Sequence, residues 1–491
     1  MLKLARYLKP YLLAVVAVAI LVFLQSISQL YLPNLMSEIV DVGIVSGDSS
    51  FILRVGGRML LVAALGAACT IGASYLSART SAAFGSDLRL RMFEKVSAFS
   101  LSEFDRIGTA SLITRTTNDI MQMQQVVVFG LRMALMAPMM LIGGIVMAVS
   151  TNPGLTMSLA AVIPVLALIM ALVGGKGMPL FRAMQAKLDT LNRVLREHLT
   201  GIRVIRAFNR GAYEERRFDE ANYDLTQTAI RVNRLMAVVQ PIFLLLFNFM
   251  ALAILWFGGL RVDQGGLQVG NLMAFIQYAM QILSSLVMLS MMFVMLPRAS
   301  VSANRINEVL DMEPEIVDPP VAKEPERRGV LEFKEVTFSY PGAEQPALKD
   351  ISFKAEPGQV TAIIGGTGSG KSTLLNLIVR FYDVDAGGVY VDGVDVRQLT
   401  QADLRSRIGL VPQTAVLFSG SVGENIRYGK TDASAEEIEE AARIAQASEF
   451  ITGMPEGFEA AIAQSGTNLS GGQKQRLSIA RALVRRPEIY L

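Results

Sequence analysis

"VTAIIGGTGSGKSTLLNLI", residues 360–378, decides how the C-terminal part of this chain folds. An apolar, β-prone run (360–364) leads into Gly365-x-x-x-x-Gly370-Lys371-Ser372, and an apolar helix pattern follows. The spacing predicts strand, loop and helix in the order that a phosphate-binding loop requires. Glycines allow backbone N–H groups to converge on phosphate oxygens with no side chain in the way. The helix start adds its dipole. Lys371 is placed to reach β- and γ-phosphates, and Ser372 to offer its hydroxyl to Mg²⁺. Gly365, Gly366, Thr367, Gly368, Ser369, Gly370, Lys371, Ser372 and Thr373 are therefore the candidate cradle for a nucleotide.

Around this loop the pattern is one of short strands and glycine turns. "VLEFKEVTFSY" (330–340), "VTAIIG" (360–365) and "VYVDG" (389–393) read as strands, alternating with helices. That is an α/β domain, expected over 330–491. Before it, residues 311–329 hold four prolines and nine charged residues, the composition of an extended linker.

The rest of the chain is of another class. Of 491 residues, 52% are hydrophobic and 18% charged, and mean hydropathy is +0.40. The apolar excess sits in the first 300 residues, in runs without charge, as in a membrane domain with a soluble tail. Those runs are 11–32, 59–78, 133–150, 155–175, 235–260 and 264–297. They place six transmembrane helices near 11–32, 59–78, 128–150, 155–175, 235–260 and 269–297, within an all-α domain of residues 1–310. The first run is too long for the core of a cleaved signal peptide.

Lysine and arginine set the orientation. Six lie in the loop 79–127 and twelve in the loop 176–234, against Arg54, Arg58 and Arg261 in the opposite loops. The N- and C-termini and both long loops are expected on the cytoplasmic side. "LRLRMFEKVSAF" (88–99) and "LDTLNRVLREHLTGIRVIRAF" (188–208) have helical periodicity. Each loop therefore reads as a helical hairpin beyond the bilayer, turning near 104–112 and 208–218. The last span carries Met273, Met280, Met288, Met291, Met292 and Met295, flexible thioethers suited to varied apolar ligands or to helix packing.

Other classes recede. A net charge of +3 gives no reason to expect nucleic acid. Cys69 stands alone, so no intrachain disulfide can form, and it reads as a packing residue. The uncharged spans argue against an ion path.

"LSGGQ" (469–473), taken with "FSYPG" (338–342), "LVPQ" (410–413) and the phosphate loop, resembles the nucleotide-binding domain of the ATP-binding cassette (ABC) transporter family. The six-span region, with "GTASLITRTTNDI" (108–120) and "TGIRVIRAFNR" (200–210), resembles that family's exporter branch, of the multidrug or lipid type. By itself Ser470-Gly-Gly-Gln473 has the form of a capping box. The resemblance implies more. Ser470, Gly471, Gly472 and Gln473 of one subunit would dock on the γ-phosphate of ATP held by the loop of its mate. Tyr340 would stack on adenine. Gln413 would sense Mg²⁺ and the attacking water. Lys371 and Gln413 would serve catalysis, and Ser372 and Gln413 the metal.

The resemblance implies ATP and Mg²⁺ as cofactors and a second half-transporter as partner, homo- or heterodimeric. The substrate would be amphipathic, drug-like or lipid-like, and the location the plasma membrane. An ATP-gated channel or regulator, or a peptide or lipid translocator, are the alternatives. In the family an apolar strand ending in the Mg²⁺-binding Asp, a water-activating acid and a histidine come after "IYL" (489–491), where this sequence stops. The expectation is an incomplete record of a longer protein, without ATP turnover as written. The one histidine, His198, falls in the second long loop and reads as a surface residue.

Overall fold

The computed structural model describes residues 2–325 and 328–491. Within the long helices, the side chains of 158–163, 166, 167, 170, 173, 174, 291, 293, 294 and 298 lie outside the described residues, Met291 of the last span among them. The chain divides into two compact units, Met1–Arg91 with Arg115–Asn307, and Met92–Thr114 with Glu308–Leu491.

The first unit is built from long helices: α1 (Leu12–Glu38), α2 (Ser49–Ser97), α3 (Ile120–Thr151), α4 (Pro153–Thr200), α5 (Gly211–Asp263) and α6 (Val269–Asp311), the last residues of α2 and of α6 belonging to the second unit. In hydrocarbon a helix meets every interior peptide group's hydrogen-bonding need within itself, so apolar runs become helices. Among the described residues five helical segments are long and apolar enough to cross a membrane. The run 155–175, read as the fourth span, lies in α4, and about half of its side chains fall outside the described residues. The helices exceed the roughly 20 residues a bilayer needs; α2 has 49 and α5 has 53.

Phe275, Tyr278, Ile282 and Leu283 of α6 pack with Met250 and Ile254 of α5 and Ala148 of α3. Val18 and Val22 of α1 pack with Ala73 of α2. Leu13, Leu53, Leu60, Leu168, Leu244 and Trp256 are exposed, as lipid-facing side chains are. Cys69 is half-buried with a free thiol, and His198 is half-buried on the last turn of α4. Charged residues join α4 to α5 through Lys187–Asp224 and Arg217–Glu197, both substantially exposed, so that solvent screens them and they add little to stability.

At the far end of α1 a short π-helical stretch, Ile39–Ile44, places Asp41 beneath the start of α6. Its carboxylate accepts the N–H groups of Gly270 at 2.5 Å and Asn271 at 3.0 Å. The first N–H groups of a helix have no partner inside it, and an anion there also meets the dipole.

In the second unit β1 (Leu331–Phe338), β2 (Leu348–Ala355), β3 (Ala386–Val391) and β4 (Val394–Asp395) form an antiparallel sheet in the order β2-β1-β3-β4. Phe333 faces Phe353 on one side, ring centroids 4.7 Å apart, and Val389 on the other. Phe333, Val336, Val391, Leu399 and Leu404 are almost wholly buried there, each contributing about 1.5–3 kcal/mol of burial. A parallel pair, β5 (Ile408–Gly409) and β6 (Ile489–Tyr490), shows that "IYL" does enter a strand.

One expectation fails. Residues 360–364 form no strand; Val360 and Ile364 are 98% and 92% exposed. An apolar run becomes a strand only when a neighbour takes its N–H and C=O groups, and none pairs with it among the described residues. The linker is extended, as its prolines require, but pinned. Lys323 N–H donates to Gln398 O at 3.0 Å, Gln401 N–H to Asp318 Oδ1 at 2.9 Å, and Ile316 is buried.

Replacing Asp41→Ala strips the cap from α6. We expect a loss of about 1–2 kcal/mol, read as a lower thermal midpoint of the purified protein in detergent, with Asp41→Asn between the two. An unchanged midpoint for Asp41→Ala refutes the capping role.

Candidate functional site

The loop at 365–370 is shaped by its glycines. Gly368 and Gly370 have φ near +84°, a left-handed conformation other residues resist. A Cβ on Gly370 would also lie 2.6 Å from Leu348 Cδ2 and 2.9 Å from Ala347 O. The loop is exposed, and the helix α7 (Lys371–Ile378) starts directly after it. Lys371 folds back over the loop. Its Nζ donates to Gly365 O at 2.9 Å, Gly366 O at 2.7 Å and Ser369 Oγ at 3.3 Å. These oxygens hold the ammonium where a phosphate's oxygens would otherwise take it.

Ser372 is exposed on the first turn of α7, while Thr373 is buried. Thr373 Oγ1 and the Tyr340 hydroxyl share a hydrogen bond of 3.0 Å. The Tyr340 ring lies edge-on to Phe338 and to Tyr382, centroids 5.0 and 5.4 Å away. Tyr340 is thus brought to the loop's helix, packed and half-buried. Gln413 is exposed on the segment after β5, which is tied down two residues earlier by Val411 N–H donating to Leu491 O at 2.8 Å. A hydroxyl and a carboxamide oxygen are ligand types that a hard cation accepts, so Ser372 and Gln413 fit Mg²⁺ in chemical kind.

The stretch 469–473 starts a second helix of this unit, α8 (Gly471–Leu483). The capping box expected from its sequence is formed. Gln473 N–H donates to Ser470 Oγ at 3.3 Å, and Ser470 N–H to Gln473 Oε1 at 2.8 Å. Ser470, Gly471 and Gly472 are exposed. A Cβ added at Gly471 or Gly472 would meet nothing within 4 Å, and neither residue has positive φ. The fold of this chain therefore gives no reason for two glycines here. No hydrogen bond joins residues 470–473 to residues 365–373 among the described residues.

Sequence reasoning missed what holds α8. Arg481 donates from Nε to Asn425 O at 2.9 Å, from Nη1 to Val416 O at 2.8 Å and from Nη2 to Asn425 Oδ1 at 2.8 Å. Its guanidinium also lies over Phe418 and Tyr428, which stack at 4.7 Å. Burial pushes its pKa down, yet an arginine keeps its charge. Arg481 thus bolts the signature helix to the 416–428 segment. A lone arginine in a basic helix carries no sequence signal of this.

Also unforeseen is how residues 92–114 join this unit. Ser100 and Glu103 form a capping box on the short helix Leu101–Ile107, and Glu103 Oε1 accepts the N–H of Glu315 in the linker at 2.8 Å. Leu101 packs on the sheet's core cluster. Tyr382 donates its hydroxyl to Asp105 Oδ2 at 2.5 Å. Burial, then Asp105, pushes the Tyr382 pKa well up. The S-x-x-E spacing at 100–103 was readable; its reach to Glu315 was not.

Residues 348–491 match the family described as ABC transporter, and residues 15–286 match its transmembrane region. The chain belongs to the ABC transporter family. It is 45% identical to an uncharacterized ABC transporter ATP-binding protein of Mycobacterium tuberculosis, over 99% of this chain and 84% of that protein. A fatty acid ABC transporter ATP-binding/permease protein of the same species is 35% identical over 82% of this chain and 64% of its own length. Among solved structures, a bacterial Atm1-family ABC exporter with ATP bound has a TM-score of 0.78 and 26% identity, covering 97% of this chain and 84% of that one. The chain is an ABC exporter half-transporter: an integral membrane protein with a helical transmembrane domain fused to an ATP-binding domain whose hydrolysis drives transport.

Two outcomes follow from the clamps around the site. Arg481→Lys leaves Val416 O and Asn425 O short of donors and is expected to cost about 2 kcal/mol, measured by denaturant unfolding of the purified transporter; a shift under a few tenths would contradict the bolt. Glu103 is almost wholly buried. Burial, the largest single influence, raises its pKa, but the hydrogen bonds from Ser100 and from Glu315 N–H together take it below the usual carboxylate value. A depressed folded pKa means stability present above the unfolded value and lost as pH falls through the folded one. Proteolysis within 92–114 should therefore rise as pH drops below the ordinary carboxylate range, and Glu103→Gln should show the loosened state at neutral pH. A protease profile flat with pH for the wild type speaks against this anchor.

Proposed function

We propose that two copies, or this chain and a related half-transporter, clamp two ATP molecules between the loop at 365–373 of one subunit and the start of α8 at 470–473 of the other. The observation that carries it is the pair Gly471–Gly472. Glycine costs a helix up to about 1 kcal/mol against alanine in its interior, and two in succession are unfavourable to helix formation where nothing demands them. Here neither backbone conformation nor packing within the chain demands it. Two bare, exposed N–H groups at a capped, positive helix end suit an approaching phosphate. A second support is the tip of the hairpin between α4 and α5. Val204, Phe208 and Tyr213 are 61%, 73% and 56% exposed there, side chains that call for a partner's surface.

In this reading Lys371 leaves the loop oxygens for the β- and γ-phosphates, and Ser372 and Gln413 would hold Mg²⁺, which would supply positive charge against the phosphates. Gln413 also orients the attacking water, and Tyr340 receives the adenine. ATP binds the closed pair better than the open one, so binding and hydrolysis switch the helix bundle between two arrangements. Residues 1–310 are the membrane domain, 311–329 the linker and 330–491 the nucleotide-binding domain. The lysine and arginine asymmetry favours cytoplasmic termini, in the plasma membrane. The cargo is amphipathic, drug-like or lipid-like.

The test pairs Ser369→Cys on one copy with Gly471→Cys on another, Cys69 being replaced by Ser. With a non-hydrolysable ATP analogue and Mg²⁺ an oxidative crosslink should form, and Lys371→Ala should abolish it. Gly471→Ala in the crosslink-free protein should leave thermal stability equal or higher while ATP-driven pairing drops about tenfold, a loss near 1.4 kcal/mol. No crosslink at saturating nucleotide would end this reading.

A further inference from the structure

A cavity of about 300 Å³ opens among α1, α3 and α6 within the membrane unit. Met136, Met140, Met280 and Met288 form its walls, with Gln29 and Gln281 among its polar groups. Among the described residues, none that lines it carries a charge. The volume is that of a small-molecule site, and thioether walls adapt to apolar bodies of varied shape.

Gln281 is the unusual member. Its Nε2 donates to Gln29 O at 3.4 Å, close to the limit of a hydrogen bond. Its Oε1 is buried and has no donor. A buried carbonyl oxygen without a donor is destabilising, and a ligand that brings an N–H or O–H removes that penalty. The neighbouring polar groups do not reach it. Ser285 Oγ is engaged with Ile282 O at 2.7 Å, and Gln25 Nε2 with Met136 Sδ at 4.0 Å.

An ionised head would enter a place that offers no counter-charge and loses its hydration. The nearest basic position along α3 is Arg132, one turn before Met136 on the same face; it is not among the lining residues. We propose that this cavity takes the uncharged head and adjoining apolar segment of the transported amphiphile. The head donates to Gln281 Oε1, and the cavity discriminates against carboxylate and ammonium heads alike. This rests on the exporter reading and narrows its cargo to neutral amphiphiles with a hydrogen-bond donor, such as amides or alcohols.

The test uses the full chain in lipid nanodiscs without nucleotide. Three fluorescent probes share one alkyl body and end in a primary amide, a carboxylate or a trimethylammonium group. The amide probe should bind about tenfold tighter than either ionised probe, the step that 1.4 kcal/mol represents. Gln281→Leu should remove that advantage, and Gln281→Glu should pass it to the trimethylammonium probe. Arg132→Gln should leave amide binding unchanged. Equal binding of amide and carboxylate to the wild type, or undiminished amide affinity in Gln281→Leu, overturns the proposal. Flat head-group preference alongside the nucleotide-dependent crosslink would sink this inference and spare the shared-ATP reading; selective binding without the crosslink would sink the shared-ATP reading and leave the cavity's head-group selectivity standing.

Discussion

In hydrocarbon a peptide N–H or C=O has no water to turn to, and each unpaired group costs several kcal/mol, which leaves helices or closed barrels as the ways across. The same accounting runs through the whole molecule. It makes the uncharged runs into long helices, and it makes helix ends the places where something else must be supplied. At the start of α6 the supply is the Asp41 carboxylate, borrowed from the end of α1. At Leu101–Ile107 it is Ser100 and Glu103, with the second oxygen of Glu103 turned to the linker. At α8 it is Ser470 and Gln473, which satisfy each other and leave the glycine N–H groups between them facing outward. Caps used in this way do two things at once: they end a helix and fix a neighbour.

That requirement also explains what could be read from sequence and what could not. Periodicity and charge set the long helices, because a run's fate in a bilayer depends on little beyond its own composition. The capping box at 470–473 was read from sequence because its partners lie three residues apart, and the one at 100–103, which has the same spacing, was overlooked. The run 360–364 is β-prone and more apolar than "VLEFKEV" (330–336), yet the latter is a paired strand and the former an exposed thread. Composition states a strand's willingness; pairing depends on a neighbour from elsewhere in the chain. Tyr382 with Asp105, and Arg481 with Asn425, lie 277 and 56 residues apart. No local pattern encodes such distances, so those links were invisible until the fold was seen.

The grouping of residues 92–114 with the sheet-containing unit shows where a linear division of the chain breaks down. By sequence, this segment is the tip of a hairpin between two membrane-spanning runs. By packing, Leu101 joins the core cluster of the soluble unit, and Asp105 accepts from a tyrosine of that unit. The buried Glu103 is the decisive member. Burial alone would favour its neutral form, yet three donors aimed at the ionised carboxylate prevail. A charge held in that way is costly to disturb, and it ties the segment to the sheet-containing unit.

The two helix starts of the candidate site meet one problem in opposite ways. At α7 the ammonium of Lys371 is already satisfied by the carbonyls of Gly365 and Gly366 and by Ser369 Oγ. An incoming phosphate must outbid three oxygens of the loop itself, so its binding is an exchange of partners rather than a filling of empty space. At α8 a Cβ placed on Gly471 or Gly472 would meet nothing within 4 Å among the described residues. A phosphate docking there gains hydrogen bonds without breaking any made by a side chain. In the proposed pair, affinity for a first contact would belong to the loop, where Lys371 supplies a full charge, and the later gain on closure to the glycine pair. That order, loop first and residues 470–473 second, would make nucleotide binding by one subunit the precondition for recruiting its mate.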